Sequence, residues 1–185
     1  MRKLVFAINI TADGVCDHRA AIASDELHTY YTSLLRNSDV ALFGRVTFQL
    51  FESYWPAVAK HASGTAVENE FARRIDAIEK IVISKTLKKI SWNNTRIISE
   101  DIDAHLLELK QQPGKNIYMA GSPCLATHLI KLNLIDEYHF CVQPLVAGNG
   151  KRLFENDALT ERIDLKLTDA KRLSSGVIIN AYSVV

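Results

Sequence analysis

Short runs of unbroken apolar residues alternate along this chain with stretches in which apolar positions recur every three or four residues. Residues 3–10 (KLVFAINI) and 40–43 (VALF) read as buried central strands, because a strand covered on both faces loses the polar half of its alternation. Residues 80–84, 95–99 and 116–120 read as three more. Between them, Leu27, Tyr30, Tyr31, Leu34 and Leu35 mark one face of a helix that Ser24 or Asp25 can cap. A short aromatic helix is expected over 48–54, stopped at Trp55-Pro56, with a loop over 57–65. Val67, Phe71, Ile75 and Ile78 outline the next helix. Asp101 or Asp103 caps another through Leu106, Leu107 and Leu109, and Ser122-Pro123 opens one more that runs to Leu132. The end of the chain changes character. A strand over 137–146 is followed by strands over 165–173 and 177–185 joined by Ser174-Ser175-Gly176, an antiparallel hairpin. Strands alternating with helices imply a mostly parallel mixed sheet with helices on both faces, a single α/β domain over residues 1–185.

Composition narrows the class of function. With 48% hydrophobic residues, 23% charged residues and a net charge of +1, the chain has no bulk attraction for nucleic acid. No apolar run approaches the ~20 residues that span a bilayer, so no membrane partner is expected. The basic start and the apolar run behind it read as a first strand, not a signal peptide. Cys16, Cys124 and Cys141 are an odd number without a C-x-x-C pair, which fits a reducing cytoplasm. The histidines never fall at i, i+4 on one helix with an acidic neighbour, so no metal site is expected.

Three strand exits carry residues suited to anions: Gly44-Arg45-x-Thr47, Ser84-Lys85-Thr86 and Ala120-Gly121-Ser122. Helix N-termini present unpaired N–H groups and partial positive charge. Glycine lets the backbone approach a ligand, and Arg offers a forked set of donors to phosphate. The alternative for each is an ordinary turn with a surface cation. Ligands of open α/β sheets bind beyond the carboxyl ends of the strands, where all three exits lie.

The order of these motifs resembles the dihydrofolate reductase-like superfamily, and within it the C-terminal reductase domain of the riboflavin-biosynthesis bifunctional deaminase-reductase. The resemblance spans nearly the whole chain. Besides the three turns it rests on Asp13-Gly14 after the first strand and Leu134-Ile135-Asp136-Glu137 before Gln143-Pro144-Leu145, and on Gly148-x-Gly150-x-x-Leu153-Phe154. It implies a three-layer fold and NADPH as cofactor. It would place Gly44, Arg45, Thr47, Ser84, Lys85 and Thr86 at the cofactor phosphates, with Gly121 and Ser122 along the cofactor. Ala120 stands where the family has the first of two glycines. A carboxylate on the first helix supports protonation in dihydrofolate reductases; Glu26 precedes Leu27 and Tyr30 in a similar pattern. Asp25 and Glu26 also sit where acidic residues cap a helix and meet its dipole, so both roles stay open.

Other residues carry two readings each. Asp13 could face the substrate or simply serve an Asp-Gly turn. Cys124 and His128 share i, i+4 spacing, but a catalytic thiol also needs an orienting third group, and free Cys is usually a small core residue. Phe48, Phe51, Tyr54 and Trp55 could line a pocket for a flat ring or belong to the core. Lys151 and Arg152 could meet a substrate phosphate or be solvated. The leading expectation is an NADPH-dependent reductase of a small nitrogen heterocycle, a pterin or an aminopyrimidine, with Glu26 and Asp13 as candidate catalytic groups. The alternative is a catalytically silent nucleotide-binding module. A homodimer is expected too, because relatives of this architecture pair through sheet elements and 177–185 is very apolar for an exposed edge.

Overall fold

The computed structural model describes residues 1–154, 159 and 162–185. The apolar runs form β1 (Leu4–Thr11), β2 (Ser38–Gly44), β3 (Glu79–Ile83), β4 (Thr95–Ile98), β5 (Asn116–Ala120), β6 (Glu137–Gln143), β7 (Leu165–Arg172) and β8 (Ile178–Val184). The periodic stretches form α1 (Asp25–Arg36), α2 (Arg45–Glu52), α3 (Trp55–His61), α4 (Ala66–Ala77), α5 (Ile102–Gln111) and α6 (Pro123–Lys131). The strands make one sheet in the order β4-β3-β2-β5-β1-β6-β8-β7. Pairing is parallel from β4 through β6 and antiparallel where β8 meets β6 and β7.

Alternate side chains of each central strand enter opposite layers. Leu4, Phe6, Leu42, Ile81, Ile117 and Met119 pack with Leu106 and Leu109 of α5 and Leu125 and Leu129 of α6. Ala7, Ala41, Phe43, Val82, Tyr118 and Ala120 pack with Leu27 and Tyr31 of α1, Phe48 of α2 and Phe71 and Ile75 of α4. The register levels the carboxyl ends, with Ala7 opposite Ala120, Leu42 opposite Met119 and Gly44 opposite Ile83. The three polar turns therefore leave the sheet along one edge.

Helix α2 starts at Arg45, directly off the strand at the Gly44 junction, and takes in the aromatic stretch as far as Glu52. Two local expectations are corrected. Trp55-Pro56 starts a helix instead of stopping one, so much of 57–65 is α3 and not loop. Pro56 sits in the first turn, where its missing N–H has no partner to lose. The apolar strand β8 is not an edge. It lies between β6 and β7, and the edge is β7, which carries Lys166, Asp169, Lys171 and Arg172. Charged side chains of this kind discourage edge-to-edge pairing, and the apolar-edge premise for a homodimer does not hold. No described helix is long and apolar enough to cross a membrane.

Lys80 on β3 is fully buried. Its Nζ donates to the carbonyl oxygens of Ile75, Asp76 and Ile78 at 3.1, 2.8 and 2.9 Å and lies 4.6 Å from the centre of the Trp92 ring. It thereby satisfies the orphan carbonyls at the end of α4, where a cation also complements the helix dipole. Burial draws its pKa down to about 8. Lys80→Met should strand those acceptors and cost about 2–4 kcal/mol, lowering Tm by roughly 5–15 °C for a chain of this size. Thermal unfolding followed by circular dichroism checks this, and an unchanged Tm would show that the carbonyls find other partners.

Candidate functional site

The carboxyl ends of β1, β2 and β5 open into a cavity of about 610 Å³. Its rim is built by two of the three polar turns, which prove to be one unit. Ser122 has φ +62° and does not cap α6. Its Oγ instead accepts from the Gly44 N–H at 2.8 Å and donates to Thr47 Oγ1 at 2.9 Å. A Cβ on Gly44 would lie 2.9 Å from that Oγ, so the close approach requires glycine. Gly121, at φ +55°, occupies left-handed backbone that L side chains rarely adopt, and its N–H donates to the Ala7 carbonyl at 2.9 Å. Neither α2 nor α6 has a side-chain cap at its N-terminus, so both present unpaired N–H groups at this rim. Gly44, Arg45, Thr47, Gly121 and Ser122 all line the cavity. The Arg45 guanidinium reaches Gln49 Oε1 at 3.0 Å from an exposed position.

Part of the cavity wall is aromatic. Phe51, Trp55, Phe71 and Tyr31 line it together with His28. The His28 ring centre lies 5.7 Å from that of Trp55 and 5.9 Å from that of Phe71. Of the aromatic quartet singled out in the sequence, Phe51 and Trp55 reach the cavity. Phe48 is fully buried in the core and Tyr54 is half exposed.

The third turn lies apart. Lys85 lines a second, polar cavity of about 1050 Å³ together with Lys88, Ser99, Asp103 and His128. The Ser84 Oγ accepts from the N–H groups of Thr86 and Leu87 at 3.2 and 3.0 Å, so this hydroxyl closes its own turn. Because β3 is the neighbour of β2, Lys85 still leaves the sheet beside Gly44 and Arg45. His128 lies 2.6 Å from Asp103 Oδ1 in this second cavity while Cys124 lines the first, so the two do not meet as a thiol and base.

The two candidate carboxylates are both engaged elsewhere. Asp13 accepts from Thr11 Oγ1 at 2.6 Å, from the Ala147 N–H at 3.0 Å and from the Gly148 N–H at 2.9 Å, bonds that hold its pKa down to about 2. It fastens the loop after β1 to the loop after β6. Glu26 Oε2 accepts from both the hydroxyl and the backbone N–H of Ser174, the latter at 2.6 Å, and these bonds lower its pKa. That contact ties the start of α1 to the β7–β8 turn. Ser24 is the N-cap of α1, and Asp25 accepts from Thr65 Oγ1 at 2.9 Å.

His28 is the site residue that sequence reasoning passed over. It lies on the first turns of α1, and burial lowers its pKa from 6.5 against the opposing pull of Glu68 and Asp25. Asn9 was missed as well. The helical period placed Tyr31 on the buried face, but nothing local tells where along the sheet that face ends.

An open, mostly parallel sheet with a cavity at its carboxyl edge and an antiparallel C-terminal hairpin is the arrangement of the dihydrofolate reductase-like class of α/β folds. The RibD C-terminal domain family model matches residues 2–179, and the chain belongs to that family. It is 30% identical over 186 residues to the uncharacterized protein YyaP of Bacillus subtilis strain 168, covering 98% of this chain and 94% of that protein. Among solved structures, it is similar to a protein of Shewanella sp. PV-4 provisionally described as a riboflavin biosynthesis protein. That match has a TM-score of 0.71 and 17% identity, over 100% of this chain and 99% of the other. It is also similar to the Thermotoga maritima diaminohydroxyphosphoribosylaminopyrimidine deaminase/5-amino-6-(5-phosphoribosylamino)uracil reductase. There the TM-score is 0.66 and the identity 12%, and the chain spans 57% of that protein.

Proposed function

We propose that this protein is an NADPH-dependent reductase of a small oxo- and amino-substituted nitrogen heterocycle of the pyrimidine or pterin type. The observation that carries the reading is the fusion of two uncapped helix N-termini by Ser122 into one rim beside an aromatic cavity. The rim fits a diphosphate: it offers backbone donors and the close approach at Gly121 within one span. Arg45, exposed at the start of α2, and Lys85, beyond the neighbouring strand, are assigned to the 2′-phosphate. NADPH supplies the hydride when bound. The chain's own residues orient the two rings, with Phe51, Trp55 and Phe71 excluding water from the heterocycle. His28 supplies the proton, because its ring lines the cavity while Asp13 and Glu26 are held in structural bonds.

The test is a titration with NADPH followed by its oxidation in the presence of a panel of oxo- and aminopyrimidines and pterins. Saturable binding and substrate-dependent loss of the reduced cofactor are expected. Failure of NADPH to bind would overturn the reading. The engagement of both carboxylates favours one alternative, a nucleotide-binding module without turnover; binding without oxidation across the whole panel would select it.

A further inference from the structure

The orientation of one amide in the cavity wall follows from a chain of hydrogen bonds whose first member can only donate. The Gln143 atom 2.9 Å from the backbone N–H of Ile22 must be its oxygen, Oε1. Gln143 Nε2 is then the atom that points at Asn9, 3.1 Å away, and since it too can only donate, the Asn9 atom it meets is Oδ1. The hydroxyl of the buried Tyr31 donates to the same oxygen at 3.0 Å. Both lone pairs of Oδ1 are filled, and Nδ2 is turned away from Gln143 and Tyr31. Asn9 lines the cavity, and its Nδ2 has no partner among the described residues. Gln143 and Tyr31 are buried and therefore hold the amide in place.

We infer that Asn9 is a specificity residue whose Nδ2 donates to an exocyclic oxo group of the bound heterocycle, so that the site takes oxo-substituted rings and rejects their amino analogues. The inference rests on the reductase reading for the identity of the cavity as the substrate site. An amino group in place of the oxo group would face donor with donor and leave both unpaired in a desolvated pocket. Gln143 is a positioning residue, acting through Asn9.

The test compares 5,6-diaminouracil with 2,4,5,6-tetraaminopyrimidine, which differ in carrying oxo or amino groups at the same two ring positions. Calorimetric titration of the wild type should favour the uracil by about tenfold to a hundredfold. Asn9→Asp keeps an acceptor for Gln143 and Tyr31 but offers the cavity a carboxylate oxygen, and it should reverse the preference. Gln143→Glu should do so without touching the cavity. Its second oxygen can only accept, which turns the Asn9 amide so that Oδ1 faces the ligand, an effect that a space-filling role for Asn9 would not produce. Equal affinity of the wild type for the two probes, or no binding of either, overturns the inference before any variant is made. A preference unchanged in either folded variant overturns it as well. NADPH titrated into the same wild-type sample separates the two conclusions: loss of cofactor binding with the uracil preference intact removes the reductase reading and leaves Asn9 as a recognition residue.

Discussion

Turnover of a His28→Gln variant is expected to fall by about 10²–10⁴-fold, the usual worth of a positioned general acid, with NADPH affinity nearly unchanged. The glutamine keeps a polar side chain of similar reach but cannot deliver a proton. His28 stands on α1 with its ring against Trp55 and Phe71, and burial lowers its pKa below the ordinary 6.5 while Glu68 and Asp25 pull the other way. The sign of the pH dependence follows. The protonated form is the donor, so the wild-type rate should fall as pH rises through a value below 6.5, losing tenfold per pH unit beyond it. The variant should lack that descending limb. Steady-state rates across the acidic and neutral range, with cofactor affinity measured separately, check both parts. A variant with the wild-type rate and the same profile would remove His28 from the chemistry. Glu26→Gln serves as the contrast: because Glu26 is held by Ser174, its loss should lower thermal stability and leave the rate per folded molecule intact.

The second large effect concerns the cofactor. Arg45→Ala and Lys85→Ala should each weaken NADPH binding by roughly tenfold to a hundredfold, since a hydrogen bond to a charged group contributes ~1.5–3 kcal/mol. NADH lacks the 2′-phosphate and should bind the variants nearly as it binds the wild type. Arg45 is exposed at the start of α2, and Lys85 lines the neighbouring polar cavity, so removing either cation leaves the core unchanged. The discrimination should shrink as salt rises, because exposed charges are screened. Paired titrations of both cofactors into wild type and variants decide it. Equal losses for the two cofactors would assign the residue to the diphosphate they share.

Much of the architecture is legible in residue order because it depends on local chemistry. Apolar runs such as 40–43 have one stable solution, a strand buried on both faces, and Ser24 ahead of Leu27 offers an N-cap that the structure forms. The Gly-Arg-x-Thr and Ala-Gly-Ser turns announce themselves by residue type. Proline was the misleading local signal: Pro56 is as acceptable in the first turn of a helix as after one, and the residues around it do not distinguish the two.

The tertiary structure alone decided what those turns do together. Ser122 reads as a helix cap in sequence, yet folding brings Gly44 and Thr47 to its hydroxyl across |i−j| separations of 78 and 75. Asp13 and Glu26 each carry a chemical and a structural reading in the sequence until partners 134 and 148 residues away occupy them. The Asn9 amide takes its orientation from Tyr31 on α1 and from Gln143, which the pairing of β6 with β1 brings beside it and whose own amide is fixed by Ile22. Residue type and spacing determined which strands, helices and turns this chain forms, because backbone sterics and burial act within a few residues. Which donors are satisfied, which acids are consumed and which amide faces the cavity depend on contacts between segments distant in the chain, and those exist only once the sheet is assembled.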